Sequence, residues 1–189
     1  MSDWTDIKHA LKAGDVVLLP TETVYGLAAE ADNESAISKI YAIKGREFSK
    51  PLAVCVRDMA QGKTLAHFDE TSEHLAQRYW PGSLTLVLDT SAKLDSRVTS
   101  ESNGTRTIAL RCPDVHWREA MDKPLALTSA NRSGQPDCVT YEDAMRELED
   151  EIAASLPAKA PLSGSPSTII RVSDGQLTLL RQGELQVTS

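Results

Sequence analysis

Val16-Val17-Leu18-Leu19-Pro20-Thr21-Glu22-Thr23-Val24-Tyr25-Gly26-Leu27 runs from a short apolar segment into a proline-started turn carrying two hydroxyls, a carboxylate and a phenol. The apolar part, Val16 to Leu19, reads as a buried strand. Polar loops that follow strand ends are where open sheets place ligands. A capped turn with glycine at a positive φ uses the same residue types, and the local sequence leaves both readings open.

Outward from this stretch, apolar runs at Leu52–Val56, Leu84–Leu88, Leu125–Leu127 and Ile169–Val172 also read as strands. Helical patterns separate them. Asn33 can cap a helix whose apolar positions Ala36, Ile37, Ile40 and Tyr41 recur at helical spacing and which ends at Gly45. Thr140 with Asp143 resembles a capping box and opens a second helix, with Ala144 and Leu148 on one side. Asp174-Gly175, between IIRVS and QLTLLR, predicts a hairpin. Strands alternating with helices, plus a terminal hairpin, give an α/β (mixed α+β) fold with a mixed sheet covered by helices.

The 189 residues and 41% apolar content suit a single domain spanning 1–189. The polar, acidic start and the lack of any stretch approaching about 18 apolar residues predict a soluble cytoplasmic protein. Cys55, Cys112 and Cys138 have no CxxC spacing, and the four histidines form no HxxxH pair, so neither a disulfide framework nor a protein-built metal site is expected. A formal charge of −7 opposes broad attraction to a phosphate backbone. Any RNA contact should be local, at the basic group Lys44, Arg46, Lys50 and Arg57. Pro, Ser and Gly enrichment at 157–166 predicts a mobile loop able to act as a lid.

Five further stretches carry chemistry. Lys44-Gly45-Arg46, with Lys50 beyond it, sets three cations between a helix end and a strand, where they can converge on one polyphosphate; a helix C-terminus favouring cations explains the first two equally well. In Arg106-Thr107-Ile108-Ala109-Leu110-Arg111, strand alternation sends Thr107, Ala109 and Arg111 to one face. That face can grip a carboxylate or phosphate by forked arginine bonds, or belong to a solvent-exposed edge strand. Leu125-Ala126-Leu127-Thr128-Ser129-Ala130-Asn131 ends a strand in hydroxyls and an amide, fit for phosphate or ribose oxygens or for a plain Asx turn. Ser165-Pro166-Ser167-Thr168 precedes the hairpin, and Arg181-Gln182-Gly183 follows it. No GxxxxGK P-loop, GxGxxG or GxSxG elbow is present, which disfavours covalent catalysis.

In their order along the chain, PTETVYGL, KGR with KPL, YWPGSLTLVL, RTIALRCPD, PLALTSANRSG, SPSTIIRV and LLRQG closely resemble the YrdC family, the threonylcarbamoyl-AMP synthases, over roughly residues 7–183. The resemblance implies an open, twisted mixed sheet flanked by helices, with a concave, positively charged cavity. It implies that Lys44 and Arg46 serve catalysis, that Lys44, Arg46, Lys50, Thr107, Ser129, Asn131 and Arg181 form the ATP site, and that Thr23, Tyr25, Arg111, Thr128 and Ser167 hold threonine. Many relatives have histidine where this chain has Cys55, a departure that bears on the pocket's polarity there. The resemblance is to the single-domain type.

It also implies the reaction. Threonine and bicarbonate give an N-carboxylate that attacks the α-phosphorus of ATP, Mg²⁺ arriving with the nucleotide, and the product feeds a downstream threonylcarbamoyl transferase complex acting on tRNA. A noncatalytic RNA-binding or ribosome-maturation factor is the competing expectation.

Overall fold

The structure, a computed structural model, describes residues 2–90, 92–102 and 104–187. Their strands are β1 (Val17–Pro20), β2 (Tyr25–Glu30), β3 (Ala53–Cys55), β4 (Leu84–Asp89), β5 (Thr99–Ser102), β6 (Thr105–Arg111), β7 (Leu125–Ser129), β8 (Ala154–Ser155), β9 (Thr168–Ser173) and β10 (Gln176–Arg181). The helices are α1 (Trp4–Lys12), α2 (Glu34–Lys44), α3 (Met59–Lys63), α4 (Glu70–Tyr79) and α5 (Tyr141–Leu148). All strands join one sheet in the order β10-β9-β4-β6-β3-β7-β2-β1-β8, with β5 paired to β6. The sheet is mixed: β1 with β8, β3 with β6 and β4 with β9 are parallel, and the other pairs antiparallel.

Strand alternation divides the buried side chains between two cores. On one face, Leu18, Leu27, Val54, Leu86, Leu110 and Ile170 pack with Ile37 and Ile40 of α2, Leu75 of α4 and Leu148 of α5. On the other, Val17, Leu19, Ala28 and Leu125 pack with Ile7 and Leu11 of α1 and with Trp117. The second core ends near β3, so the sheet's far half keeps an open face. There β6 turns Thr107, Ala109 and Arg111 away from the first core.

Several local expectations are met in atomic detail. Asn33 Oδ1 accepts the Ala36 N–H at 3.0 Å and Gly45 closes α2 at φ 58°. Asp174 and Gly175 take φ values of 50° and 74°, the left-handed pair of a tight hairpin turn. The Thr140 box is only half formed: Thr140 Oγ1 accepts the Asp143 N–H at 3.1 Å, but the Asp143 carboxylate takes the Thr140 hydroxyl and Arg146 rather than returning to the cap N–H. The full reciprocal box lies at Asp3 and Asp6, opening α1. Strand β6 is not at an edge, since β4 and β3 flank it. The 157–166 segment is bonded over the β1–β2 turn, Ser163 N–H to Glu22 O at 3.0 Å and Gly164 N–H to Thr23 O at 2.9 Å.

Candidate active site

The β1–β2 turn is built around one hydroxyl. Thr21 Oγ1 donates to Val24 O at 2.7 Å, accepts the N–H groups of Thr23 and Val24 at 3.1 Å each, and lies 2.8 Å from Thr23 Oγ1. The capped turn and the ligand-facing loop are therefore one object, but Gly26 lies within β2 and not at a positive φ. Its far end, Tyr25, is buried, and its Oη accepts the Ala158 N–H at 2.7 Å. Burial raises the phenol's pKa.

This turn walls a cavity of about 230 Å³ on the open face of the sheet. Thr21, Thr23 and Tyr25 line it from the turn, Thr85 from β4, Arg111 from β6, Thr128 and Ser129 from β7, and Ser167 and Arg181 from the two ends of the terminal hairpin. Arg46, Cys55 and Asp137 complete its polar and thiol lining. Three of the charged residues are thus arginines, against one aspartate. A wider cleft of about 540 Å³ beside Arg57, Leu65 and Pro124 gathers none of the residues expected at the ATP or threonine sites.

Two hydrogen-bonded groups sit on the cavity wall. In the first, Arg111 Nη2 donates to Glu22 Oε1 at 2.8 Å and to Thr23 Oγ1 at 3.1 Å. In the second, Arg181 donates through Nε and Nη2 to Ser167 O at 3.0 and 2.9 Å, and Ser167 Oγ lies 2.8 Å from Thr85 Oγ1. Burial, then the neighbouring charge of Arg111, lowers the Arg181 pKa. Beside the first group, on the strand next to Arg111, Cys55 is fully buried, which pushes its thiol up to about 12. It is an apolar, protonated contact where a histidine would bring a hydrogen-bonding ring.

Lys44 behaves differently from its neighbours in sequence. Its side chain is buried beneath the end of β7, where Nζ donates to Ser129 O and Asn131 O at 2.6 Å each and to Asn131 Oδ1 at 2.8 Å. Asn131 is buried with it and accepts the Ser129 hydroxyl at 2.7 Å. Neither lines the cavity. Arg46 does, with Nε bonded to Lys50 O at 2.9 Å, while Lys50 itself is exposed and 3.6 Å from Glu47. The three cations do not converge in this structure. Thr107 shares a face with Arg111 but is buried, 3.5 Å from Ser100 O.

Sequence reasoning assigned no role to Thr85, Asp137 or Glu22. Thr85 had a readable signal, a hydroxyl interrupting the apolar run Leu84 to Leu88; Glu22 stood in the quoted turn but had no visible partner, and Asp137 had no signal.

Comparison with known proteins gives the chain its relatives. The chain is 38% identical to the threonylcarbamoyl-AMP synthase of Bacillus subtilis over 179 residues, 92% of this chain and 51% of that one. It is 33% identical to the threonylcarbamoyl-AMP synthase of Vibrio campbellii over 192 residues, 97% of this chain and all of that one. Thus it spans about half the length of the first relative and the whole of the second. The structure of P. abyssi Sua5 complexed with L-threonine superposes with a TM-score of 0.87 at 32% identity, covering 97% of this chain and 55% of that one. E. coli YciO shares the fold, with a TM-score of 0.83 at 21% identity, over 95% of this chain and 89% of that one. The family model described as "Telomere recombination" matches residues 9–183, and the chain belongs to the Sua5/YciO/YrdC family.

Proposed function

We propose that the chain is an L-threonylcarbamoyladenylate synthase, a nucleotidyltransferase that makes threonylcarbamoyl-AMP and pyrophosphate from L-threonine, bicarbonate and ATP for the threonylcarbamoyladenosine modification of tRNA. The observation that carries this reading is the shared cavity, in which a carboxylate-gripping group around Arg111 and Thr23 adjoins Arg46, Ser129 and Arg181.

Arg111, Thr23, Thr128 and Ser167 take threonine, with Tyr25 as a wall. Arg46, Ser129 and Arg181 face the nucleotide, and Lys50, on its exposed loop, meets the outer phosphates. Lys44 and Asn131 support the site from beneath by holding the end of β7. The amine takes up bicarbonate with loss of water. An oxygen of the resulting N-carboxylate then bonds to the α-phosphorus as its bond to the bridging oxygen of pyrophosphate breaks.

No protein nucleophile is required, in keeping with a Cys55 thiol held protonated far above neutral pH. The protein's task is alignment, which in favourable cases removes roughly 7–11 kcal/mol of barrier, and stabilisation of the charge that grows on the leaving group.

The described residues contain no group of three or more His, Cys, Asp or Glu placed to hold a metal. The cavity has Asp137, which suits a Mg²⁺ that enters on phosphates and needs only one or two carboxylates. When bound, such an ion offsets phosphate charge. Among the described residues no helix is long and apolar enough to cross a membrane. A cytoplasmic place, a downstream threonylcarbamoyl transferase partner and a local tRNA contact near Lys50 follow from the same reading.

Purified protein given ATP, threonine and bicarbonate should yield threonylcarbamoyl-AMP by mass spectrometry, with pyrophosphate released only when all three are present. Threonine-independent ATP turnover, or none, sinks the reading and favours the RNA-binding alternative.

A further inference from the structure

Arg111 and Glu22 form a partly buried pair whose hydrogen bonding is incomplete in a specific way. One contact joins them, Nη2 to Oε1 at 2.8 Å, and the side chains are only 8% and 22% exposed. Among the described residues, Arg111 Nε and Glu22 Oε2 are both buried and have no partner. A forked, two-bond pairing would satisfy both atoms, and buried polar atoms left unpaired cost stability. The pair therefore holds one spare donor and one spare acceptor, with Arg111 on the cavity wall and Glu22 bonded behind it, next to the lining residue Thr23.

A free α-amino acid carries the complementary set, an acceptor carboxylate and a donor ammonium separated by one carbon. We propose that Glu22 is a substrate-contacting residue and that it forms, with Arg111, a receptor for the zwitterionic end of a free α-amino acid. Arg111 takes the α-carboxylate and Glu22 the α-ammonium. This rests on the threonine reading above and adds to it the group that recognises the amine.

The charges support the assignment. A ligand bearing only a carboxylate would draw Arg111 away from Glu22 and strand a buried carboxylate, which is unfavourable unless another cation replaces the guanidinium. A zwitterion brings that cation. The Glu22 carboxylate turns easily about its terminal bond, so either oxygen can face the ligand. Once bicarbonate has been taken up, the nitrogen keeps one N–H to donate to the same oxygen.

The test is calorimetric titration of wild type and Glu22→Gln with L-threonine and with 3-hydroxybutyrate, which is threonine without its amino group. Wild type should prefer threonine by about tenfold or more, the size of one charge-assisted hydrogen bond. In Glu22→Gln threonine binding should weaken by at least about tenfold while 3-hydroxybutyrate changes by less than about threefold. If the variant weakens both ligands equally, Glu22 only props Arg111 and the receptor is refuted. Unchanged threonine binding refutes it too. Should the variant melt before titration, the wild-type comparison decides alone, because equal affinity for the two ligands overturns the proposal. If wild type binds another α-amino acid but not threonine, the receptor stands and the threonine reading fails.

Discussion

The Lys44 ammonium donates to Asn131 Oδ1 at 2.8 Å and so ties the end of α2 to the turn after β7, 87 positions further along the chain. With Ser129 O and Asn131 O as its other acceptors, all three ammonium hydrogens are engaged at once.

Asn131→Ala should therefore destabilise the fold by about 1.5–3 kcal/mol, because it removes one partner of a buried charge and leaves the Ser129 hydroxyl unpaired as well. Urea unfolding at neutral pH measures this. A loss below about 0.5 kcal/mol would mean that the tie contributes little, as for an ordinary surface change.

Burial, and then the neighbouring charge of Arg46, lower the Lys44 pKa from 10.5 to about 8. Between those two values the unfolded chain holds a proton that the folded chain has released, so stability contributed by Lys44 rises with pH across that window and is flat below it. Wild type should gain on Lys44→Met between pH 7.5 and pH 9.5 in matched urea melts (~1 kcal/mol or more). A stability gap that is constant with pH would refute the lowered pKa.

Arg46 lines the cavity while bonding to the carbonyls of Lys50 and Pro51 at 2.9 and 3.4 Å. Arg46→Ala should weaken ATP use by at least about tenfold, since charge-assisted bonds to phosphate in a partly dry cleft are worth ~1.5–3 kcal/mol. Folding should change little. Initial rates against ATP concentration, beside a melting curve, check both statements; unchanged kinetics in a folded variant would take Arg46 out of the nucleotide site.

Arg111→Lys keeps the charge but not the planar fork, so threonine binding should fall while ATP binding survives. Thr23→Val, nearly the same size, loses the hydroxyl that meets Arg111 at 3.1 Å and Thr21 at 2.8 Å, and should cost roughly a factor of ten in threonine affinity. Calorimetric titration of each variant with threonine and with ATP reads the division directly. Loss of ATP binding with threonine binding intact would show that the two subsites are wrongly divided.

Gly183 passes so close to the start of β9 that a Cβ added there would lie 2.1 Å from Pro166 O and 2.4 Å from the Ser167 carbonyl carbon. Both are backbone atoms and cannot swing aside. Gly183→Ala should cost on the order of 1–3 kcal/mol of stability and also weaken threonine binding, because the segment that must shift carries Ser167. A variant with wild-type melting and affinity would contradict this packing.

Much of the local structure was legible because it is encoded over two to four residues. The cap at Asn33, the stop at Gly45, the Asp174-Gly175 turn and the polar face holding Thr107 and Arg111 all follow from such short-range rules. Strand β2 was not legible: Tyr-Gly-Leu-Ala-Ala-Glu has little strand character of its own, and its register against β1 and β7 makes it a strand. Nor was the box at Asp3 and Asp6 expected, although its pattern is local.

The motif residues, and through their order the family, were determined by the sequence alone. Which of them meet was decided by the tertiary structure. Arg111 meets Glu22 across 89 positions, Thr85 meets Ser167 across 82, and Lys44 turns inward beneath β7 while Arg46, two residues on, faces the cavity. These pairings depend on a sheet order in which neighbours in space are seldom neighbours in the chain, and on burial that makes an ammonium seek carbonyl oxygens rather than water. Periodicity can say which way a side chain points from its own strand, but the partner it finds there is set by the strand packed beside it.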